Sequence, residues 1–231
     1  MRSKLLSLCP QASERLGLER SSLKDQIIVR LRDSIIQGRI PSGTKLATRE
    51  VAALFQVSPA PAREALMELE KEGLIATKTA GRYVIELSEK DFRELCEVRL
   101  LLERRAVELA ARNTSPENRA ALEARRKEME LAIASQDVAV YLMADLGIHQ
   151  LIWRQANNRH LLSTLHTLIC PILMFQANRK AAVIWHERLD LHAELIARVN
   201  AGDVDGSVRS IERHMESALR SVQTPRSSRP V

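Results

Sequence analysis

Aromatic residues and cysteines are both scarce in this chain of 231 residues. Phe, Trp and Tyr together make up 3% of the sequence, which argues against a β-sandwich and against a surface that stacks bases on aromatic rings. The three cysteines, Cys9, Cys96 and Cys170, are widely spaced and form no CxxC motif. This pattern excludes a disulfide framework and a zinc module built from cysteines as the basis of the fold.

Long hydrophobic runs are also missing. A helix that spans a bilayer needs about 20 consecutive apolar residues, and no uninterrupted run in this sequence approaches that length. The starting segment MRSKLLSLCPQ contains an apolar stretch that is too short for a secretory signal. We therefore expect a cytoplasmic protein with no membrane partner. The HExxH motif, the P-loop, the nucleophile elbow and the dinucleotide fingerprint are absent as well.

Positive charge is concentrated in the first third of the chain. The net charge is +6, and residues 1–85 carry 14 Lys and Arg against 9 Asp and Glu, while the remainder is nearly neutral. Basic side chains gain affinity for a polyanion by releasing its condensed counterions. The asymmetry favours a nucleic-acid partner for the N-terminal segment, although many small basic domains bind no nucleic acid.

The pattern after residue 20 predicts three short helices and a hairpin. The first helix begins after Ser22, which is placed as an N-cap, and ends near Gly38. Thr48 is placed to cap the second helix, TREVAALF, and the third helix begins at about Pro59. The segments LIATKT and RYVIEL then flank Ala80-Gly81 in the manner of a β-hairpin. A helix-turn-helix followed by such a ribbon is a winged helix.

This segment resembles the DNA-binding domain of GntR-family bacterial transcription regulators. The match covers about residues 20–87, and its most specific parts are IIQGRIPSGTKL, VSPAPAREAL and LEKEGLI. The resemblance implies that the third helix enters the major groove of operator DNA and that the wing reaches the minor groove. It also implies a set of DNA-contacting positions: Arg49, Ser58, Ala60, Arg63, Lys78, Gly81 and Arg82.

Two of these positions are arginines on the helix-turn-helix. Guanidinium groups donate paired hydrogen bonds to phosphate or to guanine, although Arg49 and Arg63 would otherwise be ordinary solvated helix charges. The chain departs from the family at Pro59, where a basic residue is common. Proline offers neither a donor nor a charge, so we expect base recognition to differ at this position.

From Ser88 onward the sequence predicts helices separated by short turns, and therefore an antiparallel bundle. The fold class expected for the chain is mainly α, with an N-terminal winged helix-turn-helix and a small β-hairpin followed by an all-α bundle. The expected divisions are an arm at residues 1–19, the DNA-binding domain at 20–87, the helical domain at 88–223 and a disordered tail at 224–231.

Four metal-ligating side chains fall on helix faces that should be buried. Asp145 and His149 are one turn apart on one stripe, His192 lies between Leu189 and Ile196 on another, and His214 continues the stripe of the last helix. Burying these groups is costly unless they share a partner, and one divalent ion would satisfy all four. Each histidine has an alternative as a hydrogen-bonded core residue, and Asp145 has an alternative as a partner of Arg99.

This half of the chain resembles the FCD-type effector domain found in the FadR branch of the same family. The resemblance rests on EVRLLLE at 97–103, DLGIH at 145–149, LDLHAELIARV and the closing ERHM. It implies that Asp145, His149, His192 and His214 hold a divalent metal, with zinc preferred and nickel or another late first-row metal as alternatives.

Two further residues are candidates for binding an effector. An inward-facing Arg99 would match the carboxylate of a small organic acid, although a salt bridge to Glu103 or Asp145 is an equal alternative. Asn157, at the turn after the helix that carries Asp145 and His149, is a weaker candidate.

These features predict a homodimeric transcription regulator, and not an enzyme, whose affinity for double-stranded operator DNA is controlled by a small organic acid bound beside the metal. Two alternatives remain at this point. The chain could be a metal-dependent hydrolase or lyase joined to a DNA-binding module, or the metal itself could be the regulatory signal.

Overall fold

The computed structural model describes residues 22–179 and 185–223. The predicted arm and tail lie outside these residues, as does Cys9. The described residues form two compact units. The first contains residues 22–88 together with Cys170–Asn178, and the second contains residues 89–169, Arg179 and residues 185–223.

The first unit contains a winged helix-turn-helix. Its elements are α1 (Leu23–Ile36), α2 (Thr48–Phe55), α3 (Pro59–Lys71), β1 (Ile75–Lys78) and β2 (Gly81–Val84). The two strands pair antiparallel, with Ile75 opposite Val84 and Lys78 opposite Gly81. The predicted order of three helices followed by a hairpin is confirmed.

The ends of α1 follow from the residues that cap it. Ser22 Oγ accepts a hydrogen bond from the Asp25 backbone N–H at 3.2 Å, and the Asp25 carboxylate accepts one from the Ser22 backbone N–H at 3.3 Å. This reciprocal capping box satisfies two N–H groups that have no partner inside the helix. Beyond the last turn, Gly38 adopts a φ of +70°, a left-handed conformation that glycine accommodates without steric cost.

The start of α2 differs from the sequence prediction by one residue. Thr48 is the first residue of the helix, and the N-cap position belongs to Ala47, whose side chain makes no capping hydrogen bond. The chain before α2 is instead held by the hairpin, because the Leu46 backbone N–H donates to the Arg82 carbonyl at 2.9 Å. The prediction that Thr48 caps α2 is therefore wrong.

We expect the substitution Ser22→Ala to destabilise the first unit by about 1 kcal/mol, because it removes the capping acceptor of α1. Urea unfolding followed by circular dichroism measures this loss. Ser58→Ala is a matched control, since Ser58 precedes α3 but makes no side-chain capping bond. Equal losses in the two variants would contradict the capping assignment.

The regular secondary structure of the second unit is helical in all of its described residues. It contains α4 (Glu89–Arg112), α5 (Pro116–Ala134), α6 (Val138–Gln155), α8 (Trp185–Asn200) and α9 (Val204–Gln223), together with the first half of α7 (Arg159–Arg179). Helix α4 packs against α6, α8 and α9, and α8 also packs against α9. This packing brings the inward faces of four helices together, as the predicted bundle requires.

The centre of the bundle combines large apolar side chains with several polar ones. Trp153, Ile148, Leu195 and Ile211 are fully buried. Arg99, Glu103, Asp145, Arg188, His149, His192 and His214 are buried among the same helices. Within the described ranges, no helix is both long and apolar enough to cross a membrane.

Candidate metal centre and DNA-binding face

Four buried side chains from three helices converge at one point of the bundle. Asp145 and His149 lie one turn apart on α6, His192 lies on α8 and His214 on α9. Each offers one ligand atom, and these atoms all lie within 4.8 Å of one another. These four residues form the Asp/His cluster. The structure therefore brings together all four residues that the sequence analysis proposed as ligands.

The nitrogen atoms of the cluster point at one another. His149 Nε2 lies 3.2 Å from His214 Nε2, and His192 Nε2 lies 2.8 Å from Asp145 Oδ1. The rings of His192 and His214 meet edge to face, with centroids 4.4 Å apart. Two facing imidazole nitrogens can share only one proton when both rings are neutral. The two rings can therefore form one N–H···N hydrogen bond, or both can direct their lone pairs at one cation.

Two of the histidines are oriented by contacts on the side of the ring that faces away from the cluster. His149 Nδ1 lies 3.1 Å from Glu103 Oε1, and His192 Nδ1 lies 2.7 Å from the Arg188 backbone carbonyl. An N–H donated to an acceptor at Nδ1 leaves the Nε2 lone pair free for a metal, which is how metal-binding histidines are commonly held. His214 differs, since its Nδ1 has neither a hydrogen bond nor an ion-pair contact among the described residues.

Electrostatics favour the metal-binding forms of two members of the cluster, Asp145 and His214. Burial raises the pKa of Asp145, but His192, His149 and His214 outweigh burial and hold that pKa well below its usual range. Burial and the neighbouring His192 and His149 lower the pKa of His214 well below its usual value. At neutral pH these groups are a carboxylate and an uncharged imidazole, the forms that a metal requires.

A second buried network lies directly behind His149. Glu103 on α4 is fully buried and accepts hydrogen bonds from Arg99 Nε at 3.0 Å and from Trp153 Nε1 at 2.8 Å. Burial raises the pKa of Glu103, but His149 and Arg99 outweigh burial and lower it to about 2. Arg99 thus contacts Glu103, one of the two salt-bridge partners considered from sequence, and its effector-binding role stays a prediction.

Sequence reasoning missed Arg188 and Tyr141, which lie beside the cluster. Tyr141 is fully buried on α6, and Arg188 is nearly buried on α8. Burial and the nearby Asp145 charge raise the pKa of the Tyr141 hydroxyl, and the Arg188 charge acts in the opposite direction. Helical spacing could have identified Arg188, because this residue precedes His192 by one helical turn and lies on the same face of the helix.

The structure places Asn157 away from the cluster. This residue is exposed after the last turn of α6 and adopts a left-handed φ of 52°. It follows His149 by two helical turns, which corresponds to about 12 Å along the helix axis. Its proposed effector contact remains a prediction.

The positions proposed to contact DNA lie on α2, on α3 and around the wing. The exposed members are Arg49, Ser58, Ala60, Arg63 and Lys78, whereas Gly81 and Arg82 are half-buried. Arg82 Nε lies 3.4 Å from Glu70 Oε2, and Glu70 also accepts from the Thr77 backbone N–H at 2.9 Å. Glu70 therefore ties the wing to α3, a structural role for Arg82 that the sequence analysis did not consider.

The family models that match this chain divide it into the same two parts, a winged helix and a helical domain. Residues 23–85 match the family model described as bacterial regulatory proteins of the gntR family, and residues 94–217 match the FCD domain. The chain belongs to the GntR family. It carries an FCD domain after its winged helix, as the sequence motifs predicted.

Relatives and solved structures agree with this assignment. The chain is 30% identical to the gluconate operon transcriptional repressor of Bacillus licheniformis, over 89% of this chain and 87% of the relative. It is 29% identical to a probable D-xylose utilization operon transcriptional repressor of Paenarthrobacter nicotinovorans, over 86% of each protein. The solved structure of E. coli McbR/YncC shares the fold, with a TM-score of 0.75 at 22% identity over 88% of this chain and all of the solved chain.

These comparisons establish the general activity of the GntR-family chain. It is a DNA-binding transcription regulator, and its relatives are named as regulators and not as enzymes. The interpretation as a hydrolase or lyase joined to a DNA-binding module is therefore not supported.

Proposed function

We propose that this GntR-family protein is a transcription regulator whose operator affinity is controlled by a small organic acid bound beside a divalent metal. The convergence of four buried ligand atoms within 4.8 Å, inside the FCD domain, carries this proposal. The assigned parts are a DNA-binding domain at residues 20–87 and a metal- and effector-binding domain at residues 88–223. We place the protein in the cytoplasm, where its operator lies.

Asp145, His149, His192 and His214 would hold the ion. Three imidazole nitrogens and one carboxylate oxygen suit zinc best, while nickel and other late first-row metals accept the same donors. The ion would supply a Lewis-acidic centre for the oxygens of an acid. The outward contacts of His149 and His192 support this assignment, because their Nε2 atoms are kept available.

The buried charges around the cluster favour an anionic effector. Among the residues whose burial is described in the helical unit, Arg99 and Arg188 balance Glu103 and Asp145. A divalent ion bound by uncharged imidazoles leaves an excess of about two positive charges in a desolvated site, which is costly without a counter-charge. A small organic acid supplies that charge, and the guanidinium groups of Arg99 and Arg188 are matched to its oxygens.

The winged helix would read one half of a two-fold symmetric operator, and a homodimer would read both halves. Joining two half-site contacts raises affinity because the second contact becomes intramolecular. Two relatives are named as operon repressors, one of them of a gluconate operon, which supports repression and makes gluconate the first acid to test.

The proposed control is a population shift between two arrangements of the dimer. An acid that binds one arrangement more tightly shifts the population toward that arrangement. The size of the shift is set by the difference between its binding free energies for the two arrangements. A coupling free energy of about 1–3 kcal/mol changes operator occupancy by about 5- to 150-fold.

We expect removal of the metal to abolish the response to the acid. Operator binding by the purified protein is measured by fluorescence anisotropy in three states: as purified, after dialysis against a chelator, and after zinc is restored. In each state the protein is titrated with gluconate, lactate, citrate and malonate. The expected result is an acid-dependent change in operator affinity that the chelator removes and zinc restores.

Other outcomes separate the remaining alternatives. Operator binding that follows the metal and ignores every acid would identify the metal as the signal. An acid response of equal size in the metal-free protein would contradict the proposed site.

A further inference from the structure

Glu103 is a buried carboxylate that the sequence motifs did not assign to the metal centre. Its side chain is fully buried on α4. Helix α4 packs against α6, which carries Asp145 and His149. Removing a carboxylate from water is costly unless donors surround it. Arg99 and Trp153 donate hydrogen bonds to it, and His149 Nδ1 lies within ion-pair distance of it.

The three contacts divide between the two carboxylate oxygens. Oε2 accepts from Trp153 Nε1 at 2.8 Å. Oε1 lies 3.0 Å from Arg99 Nε, 2.8 Å from Arg99 Nη2 and 3.1 Å from His149 Nδ1. A carboxylate oxygen 3.1 Å from Nδ1 favours a proton on Nδ1 of a neutral His149, because an ionised carboxylate can only accept hydrogen bonds. His149 Nε2, which faces the cluster, then has a free lone pair.

We propose that Glu103 is a positioning residue of the metal centre, which fixes the tautomer and ring orientation of His149 and thereby makes its Nε2 a ligand. This inference rests on the proposed function of the Asp/His cluster. The negative charge of Glu103 also makes the imidazole a stronger electron donor. Arg99 keeps the same carboxylate in place, so the residue proposed to bind the effector and a metal-binding histidine share one oxygen atom.

The other two histidines show why His149 depends on Glu103. His192 is held by a backbone carbonyl at 2.7 Å, a partner that side-chain substitution leaves in place. His214 Nδ1 has no hydrogen-bond partner in the described part of the chain. Among the described residues, His149 is the histidine of the cluster whose Nδ1, on the side of the ring that faces away from the other ligands, contacts a carboxylate.

The test is the substitution Glu103→Gln in the full-length protein. The amide carries no charge and accepts hydrogen bonds more weakly than the carboxylate does. Its NH₂ group would also face the N–H groups of the neighbouring side chains, to which it cannot donate. We expect zinc affinity, measured by competition with a chromophoric chelator, to fall by about 10- to 100-fold, while saturating zinc still gives one ion per chain. Glu108→Gln is the matched control, because Glu108 lies on the same helix and pairs with Arg105 at the surface.

A second measurement does not depend on how well the variant folds. Nitrogen-15 chemical shifts of the imidazoles in the metal-free parent protein report which nitrogen of His149 carries the proton. We expect the proton on Nδ1. A proton on Nε2, or equal zinc affinities for Glu103→Gln and the parent, would overturn the role of Glu103. Failure of the parent to bind zinc would instead contradict the proposed function, and the tautomer would still decide the role of Glu103.

Discussion

We expect His192→Ala to lower zinc affinity by more than about 100-fold and to abolish the response of operator binding to an organic acid. The substitution removes a direct ligand, whereas loss of an orienting partner alone costs about 10- to 100-fold. It also removes the contact at 2.8 Å to Asp145 Oδ1, so a buried carboxylate loses a partner. Metal content after gel filtration and a zinc titration measure the effect.

His160→Ala is the control for this experiment. His160 is exposed at the start of α7, where its ring lies 3.2 Å from Arg159 Nε and its backbone bonds the Asn158 and Thr164 side chains. Circular dichroism shows whether both variants keep the helical fold. A folded His192→Ala protein that retains the parent's zinc stoichiometry and affinity would remove this residue from the ligand set.

The second large effect is expected at the DNA-binding face. Arg63 is exposed on α3, one turn after the helix begins at Pro59, and residues in this part of a recognition helix reach base edges. Arg63→Ala should cost about 1–3 kcal/mol per half-site, or about 5- to 150-fold in affinity. In a symmetric dimer both half-sites lose the contact, so the total cost approaches twice that free energy.

Operator affinity is measured by fluorescence anisotropy on a sequence selected in vitro with the parent protein. Arg119→Ala is the matched control, because Arg119 is exposed on α5 in the helical unit. The salt dependence identifies the contact: loss of a phosphate contact lowers the slope of log affinity against log salt by about one per contact, whereas loss of a base contact relaxes specificity at one position. Unchanged affinity would exclude Arg63 from the DNA contacts.

The sequence predicted the fold and the Asp/His cluster because both depend on local signals. Ser22 caps the start of α1, Gly38 follows its end and Pro59 is the first residue of α3, and these signals act within one or two turns. The four residues of the cluster were proposed as ligands from the resemblance to the FCD domain and from helical spacing, which makes a polar side chain on an apolar stripe visible. The cap of α2 was wrong because a tertiary contact to the hairpin, and not a side chain, fixes the chain before Thr48.

The contacts around the cluster could not be predicted from the sequence because they join different helices. Glu103 meets His149 and Trp153 only when α4 packs against α6. Arg82 pairs with Glu70 only when the wing folds back on α3. Helical periodicity gives the face on which a residue lies, but it does not give the register between helices that decides which side chains touch.

The most direct test of the metal centre is the zinc-edge X-ray absorption spectrum of the zinc-loaded, full-length protein. The account predicts one zinc per chain with only nitrogen and oxygen neighbours at about 2.0–2.2 Å, and the outer-shell scattering of three imidazole rings. A sulfur neighbour at about 2.3 Å, or a shell of water oxygens without imidazole scattering, would contradict it.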